Sequence, residues 1–99
     1  MAAKPEKIGL ENLIPLAVVI ACGCEPCAEW TVRRALNAGS SRHHIEETLA
    51  IIRYLQTADC LLARVGPDVL ARMSKPLAAA ARALEHFRPG QVIERQKCG

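Results

Sequence analysis

Cys24 and Cys27 enclose Glu25 and Pro26 where an apolar run ending at Gly23 gives way to a segment of helical periodicity. Residues three apart share one helix face. A proline suits a first helical turn, where its missing N–H costs nothing. The spacing predicts two sulfurs stacked at a helix start, close enough to join as a disulfide. Unpaired N–H groups there favour a thiolate over a thiol. The chemistry this suggests is thiol–disulfide exchange. Two other readings stand beside it. Cys22, Cys24, Cys27 and a histidine could offer soft metal ligands, although His43 and His44 lack the spacing of a second ligand pair. Free cysteines also serve as small core residues. No metal and no organic cofactor is expected.

The elements that must hold these sulfurs are helical. The spacing predicts a helix from about residue 9 to 21, bent by Pro15, with Gly23 as the break. A second runs over 25–38 with Ala28, Val32, Ala35 and Leu36 inward and Gly39 as its C′ residue. Ser40 or Ser41 caps a third, in which Ile45, Leu49, Ile52 and Leu55 recur at helical spacing up to about Arg64. Pro67 opens a short segment with Val69, Leu70 and Met73. A last helix covers about 75–87, with Leu77, Ala80, Ala81 and Leu84 inward. No run of β-branched residues alternates long enough for a strand. The class is all-α, and 1–99 reads as one domain with mobile ends at 1–8 and 90–99.

The chain has 99 residues, of which 51% are apolar and only Trp30, Tyr54 and Phe87 aromatic. That apolar content exceeds the needs of one small core, which predicts helix faces buried between copies of the chain. A net charge of +3, with arginines dispersed along helices, argues against nucleic acid. The run from Leu13 to Cys24 is too short to span a membrane, and the N-terminus lacks a signal-peptide pattern. Five cysteines, three of them within six positions, fit a reducing cytoplasm better than a disulfide-stapled secreted domain.

The stretch Asn12 to Thr31, NLIPLAVVIACGCEPCAEWT, and the later RALNAGSSRHHIEETLA from Arg34 to Ala50 resemble the carboxymuconolactone decarboxylase and AhpD-like alkylhydroperoxidase superfamily. The resemblance covers roughly residues 8 to 60. It implies an AhpD-like helical bundle assembled as a homotrimer or homohexamer. It also implies peroxide or disulfide reduction through the CxxC pair, regenerated by a lipoyl or thioredoxin-like dithiol. Carried over, Cys27 attacks and Cys24 resolves. The decarboxylase branch generally lacks the pair. The family's proton relay uses a glutamate twelve residues before the first cysteine and a histidine four after the second. Those positions hold Asn12 and Thr31, and neither is a base near neutral pH. Glu11 is one residue off register, which turns it about 100° away on a helix. The thiol pair is kept and the relay is not. A non-enzymatic scaffold or redox sensor is therefore the competing class, and decarboxylase or isomerase chemistry a third.

Other residues have bland and functional readings. Cys22 is expected within the apolar run, with a third redox role as the alternative. Cys60 is expected in the core, and Cys98 as a bystander on the tail. His43 and His44 open the third helix, where either could replace the relay or simply meet solvent. Thr31 could hydrogen-bond a thiolate or peroxide, or its own backbone. Trp30 is expected to cover the site or a subunit contact, Glu25 to stabilise the helix start, and His86 to meet the dipole at the end of the last helix.

Overall fold

The computed structural model describes residues 9–88, which form six helices. They are α1 (Leu10–Ala21), α2 (Glu25–Asn37), α3 (Arg42–Gln56), α4 (Asp59–Val65), α5 (Pro67–Ala71) and α6 (Ser74–His86). No strand occurs among the described residues. The expectations for the mobile ends at 1–8 and 90–99, including Cys98, lie outside them.

α2 is the central element. One of its faces carries Ala28, Val32 and Ala35, all buried. The facing helix α6 buries Leu77, Ala80, Ala83 and Leu84. Alanines on both sides let the two backbones approach, and α2–α6 is the most extensive helix pair, followed by α1–α2. Leu13, Leu16 and Ile20 of α1 and Ile45, Leu49 and Ile52 of α3 complete the core. Leu16 and Ile20 have no exposed surface, so truncating either to alanine would cost about 2–5 kcal/mol.

Two details differ from the sequence expectation. The third helix does not run on to Arg64. It stops at Gln56, and a second helix begins at Asp59. Thr57 turns its hydroxyl back to the Tyr54 carbonyl, Ala58 is extended, and Asp59 supplies an acidic first turn for α4. Cys60, on α4, is exposed rather than core, because α4 buries none of its residues. Pro15 lies inside α1 without ending it. The helix forgoes the bond that residue 15 would donate to the Glu11 carbonyl.

Some apolar side chains stay exposed among the described residues. Leu10, Ile14 and Val18 are exposed at four-residue spacing along one face of α1, and Ile51, Tyr54 and Leu55 are exposed on α3. No helix of the described residues is long and apolar enough to cross a membrane.

Candidate functional site

The junction between α1 and α2 is built from backbone hydrogen bonds that converge on Cys24. Gly23 takes φ 79°, a left-handed conformation that glycine adopts without the steric cost of a Cβ. Its N–H donates to the Ile20 carbonyl at 3.0 Å, and the Cys24 N–H donates to the Val19 carbonyl at 3.1 Å. This is a Schellman closure of α1. The Cys24 carbonyl then accepts from the Ala28 N–H at 3.1 Å, which starts α2. Cys24 thus ends one helix and is the N-cap of the next, in an extended conformation. Cys27 follows three residues on, within the first turn, with Pro26 between them. Both cysteines are half-buried.

The expected helix start is therefore present. Cys27 takes part in a disulfide, and Cys24 lies outside any disulfide, so the Cys24–Cys27 bridge is not the one formed here. Glu25 opens α2 and faces Arg82 of α6 at 3.5 Å, which ties the first turn to the helix packed beneath it. Cys22 is exposed, contrary to its expected burial. As the C-cap of α1, it falls past the last core-facing position, Ile20. It borders an open cavity of about 530 Å³ together with Asp68, Arg72 and Lys75.

One turn beyond the sulfurs, the two positions at which the resemblance implies a relay come together. Asn12 and Thr31 line one half-open cavity of about 330 Å³, with Pro15 of α1 and Trp30 and Arg34 of α2. Glu11 lines it too, so the one-residue offset does not remove it from this face of the molecule. The polar groups at the two relay positions are engaged by the fold. The Asn12 amide donates to Ser40 Oγ at 3.2 Å. Ser40 is fixed in turn by a second Schellman closure, at Gly39, in which its N–H donates to the Ala35 carbonyl at 2.9 Å. The Thr31 hydroxyl donates to the Cys27 carbonyl at 2.6 Å. Of the readings open for Thr31, its own backbone takes the proton. Trp30 forms a wall of this cavity, and the Arg34 guanidinium lies over its ring at 5.2 Å.

His43 and His44 stand apart from this constellation. Ser41 caps α3 by accepting from the His43 N–H at 3.2 Å. The His43 ring is exposed and faces Glu47 at 3.1 Å. His44 Nδ1 is buried with no hydrogen-bond partner. Neither histidine borders the cavities at Cys22 or Thr31. Among the described residues, no three His, Cys, Asp or Glu side chains gather as a metal site would require. The role of Arg34 escaped sequence reasoning. Its signal was the four-residue spacing from Trp30, which places a cation over an aromatic face on a helix.

No curated protein and no solved structure gave a match to the chain. Residues 10–63, which hold α1, the cysteine junction, α2, α3 and the start of α4, match the profile of the carboxymuconolactone decarboxylase family, and the chain belongs to that family.

Proposed function

We propose that the chain is a thiol-dependent oxidoreductase of the AhpD-like kind, acting through Cys24 and Cys27 on a peroxide or a disulfide. The observation that carries this reading is the placement of both half-buried cysteines on the first turn of α2, at its N-cap and three residues on. Backbone N–H groups of that turn favour an anion, so the helix start is the activation at hand for Cys27.

In the peroxide reaction the Cys27 thiolate attacks one oxygen of a hydroperoxide. The O–O bond breaks, the alkoxide leaves and takes up a proton, and Cys27 becomes a sulfenic acid. The Cys24 thiol then displaces water and closes the Cys24–Cys27 disulfide. An external dithiol, lipoyl or thioredoxin-like, reduces that bond and is itself oxidised. A disulfide substrate follows the same order, with a thiolate as leaving group. The chain's own contribution is to hold the two sulfurs at one turn and to keep that turn anchored on α6 through Glu25 and Arg82.

The second reading is a redox sensor or scaffold without turnover. Its support is the engagement of Asn12 and Thr31 by the fold, which leaves no base at either relay position. The exposed face of α1 (Leu10, Ile14 and Val18) and that of α3 (Ile51, Tyr54 and Leu55) support a homotrimer or homohexamer under either reading. A reducing cytoplasm suits a dithiol cycle.

Turnover of a hydroperoxide and of a small disulfide, each with a dithiol reductant, separates the two readings. Mapping of the bridged sulfurs by mass spectrometry accompanies it. Catalytic turnover with a Cys24–Cys27 bridge in the oxidised protein supports the enzyme. A change of assembly on oxidation, without turnover under any dithiol, overturns it in favour of the sensor. Ile14→Asp should dissociate the oligomer in sedimentation, and an unchanged mass would remove the α1 face from the interface.

A further inference from the structure

We propose that the open cavity where the end of α1 meets α5 and α6 is a modification site, in which Cys22 exchanges with a small disulfide that carries carboxylates and Arg72 and Lys75 recognise it. The cavity measures about 530 Å³, within the roughly 300–1,000 Å³ of small-molecule sites. Asn12 and Thr31 border a different one. Three helices build it. α1 ends in the closure at Gly23, which carries its C-cap, Cys22, out of the core. A Cβ on Gly23 would lie 3.6 Å from the Arg72 carbonyl and 3.8 Å from Arg72 Cβ, so this turn rests against the residue that closes α5. Arg72 is the C-cap of α5, and Lys75 stands in the first turn of α6. Asp68 of α5 borders the cavity too.

Charge selects the ligand. Arg33, Arg42 and Arg82 each face a glutamate. Arg72 and Lys75 pair with no carboxylate among the described residues, and Asp68 is the single acid against these two cations on the wall. The first turn of α6 holds no acidic residue, and no side chain caps it. A lysine there adds positive charge to the positive end of a helix dipole, which an anion bound beside it would relieve. The thiol selects the reactive part. Reactive cysteines occur where the sulfur is accessible and its surroundings electropositive, and Cys22 is exposed beside both cations. In the exchange the Cys22 thiolate attacks one sulfur of the disulfide. That S–S bond breaks, and a new one joins Cys22 to half of the ligand. The other half leaves as a thiolate and takes up a proton. Cys22 is oxidised and the leaving half is reduced, so no further oxidant is needed. The carboxylate of the retained half then meets Arg72 or Lys75. This inference does not rest on turnover at Cys24 and Cys27.

The probe is dithiodipropionate, an anionic disulfide, added to the full chain, with hydroxyethyl disulfide as the neutral control and cystamine as the cationic one. Mass spectrometry of peptides gives the rate of adduct formation at each cysteine. Cys60 is exposed on α4 and lies outside this cavity, so it serves as the internal reference. The rate at Cys22 relative to Cys60 should be about tenfold higher with dithiodipropionate than with the neutral disulfide, and lowest with cystamine. Raised salt should shrink that advantage. Arg72→Gln with Lys75→Gln should bring the ratio down to that of the neutral disulfide, and circular dichroism verifies that the variant keeps its helices. A Cys24→Ser/Cys27→Ser variant should still gain the adduct at Cys22, so that failure of the redox reading and failure of this one are read separately. Equal ratios for the three disulfides overturn the proposal, as does the lack of an adduct at Cys22 or an unchanged ratio in the Arg72→Gln/Lys75→Gln variant.

Discussion

The first turn of α2 and the turn that follows it differ in how the fold treats their reactive groups. In the first, backbone hydrogen bonds close α1 and open α2 around Cys24, and the sulfurs of Cys24 and Cys27 sit half-buried at the helix start. In the second, the Thr31 hydroxyl is committed to the Cys27 carbonyl, and across the cavity the Asn12 amide is committed to Ser40. The first turn presents sulfur at a helix start, whereas at Asn12 and Thr31 the polar groups are tied into the fold. A helix N-terminus can favour a thiolate by itself, but proton transfer needs a base in reach. Under the proposed function, the contrast separates dithiol exchange, which needs only the two sulfurs, from rapid peroxide reduction, which calls for a base.

The largest effect expected is at the sulfurs. Cys27→Ser should abolish exchange with a dithiol down to the uncatalysed rate. Cys24→Ser should leave one stoichiometric reaction at Cys27 and no turnover. If either serine variant keeps turning over, the first turn is not the reactive one. The next largest is a gain. Asn12→Glu with Thr31→His restores a carboxylate and an imidazole beside a cavity with room for the ring. Peroxide turnover should then rise by on the order of 10², the low end of what a positioned acid–base group supplies. No gain in the double variant would mean that this cavity serves a purpose other than relaying protons to Cys27.

Smaller effects sharpen the same contrast. Gly23→Ala places a Cβ 3.6 Å from the Arg72 carbonyl, an ordinary contact, so its cost comes from the left-handed backbone. Chemical denaturation should register a loss of roughly 1–2 kcal/mol, and alkylation of Cys24 should change because the closure that positions it is strained. The smallest belongs to Thr31→Val. It removes one intrahelical hydroxyl bond at nearly constant volume, so stability should shift by no more than about 1 kcal/mol and dithiol exchange should stay the same. A large fall in exchange would show that the hydroxyl takes part in the chemistry after all.

Much of the fold could be read from local signals. Gly39 predicted the end of α2, and Ser40 or Ser41 the cap of α3, which the structure gives to Ser41, because each position demands a residue type that few others replace. The inward stripes of α2, α3 and α6 followed from helical spacing, although Leu55 stays 39% exposed at the end of its helix. The break at Thr57–Ala58 was not legible. It depends on one hydroxyl competing for a carbonyl, within a stretch whose apolar residues continue across it. Cys22 and Cys60 were misjudged for a related reason. Apolar neighbours in sequence do not bury a residue on a helix; the direction of its face does, and that is known only once a second helix is packed against it.

By itself the sequence determined the helical class, two cysteines at a helix start and the lack of an acid or imidazole at positions 12 and 31, because spacing, capping and side-chain chemistry are properties of neighbouring residues. Tertiary structure alone decided that Glu11, Asn12, Thr31 and Arg34 share one cavity, and that Ser40 and a backbone carbonyl occupy the polar groups of Asn12 and Thr31. Those outcomes depend on how α1 and α2 pack and on which donor meets which acceptor across them, and periodicity along a single helix carries no record of either.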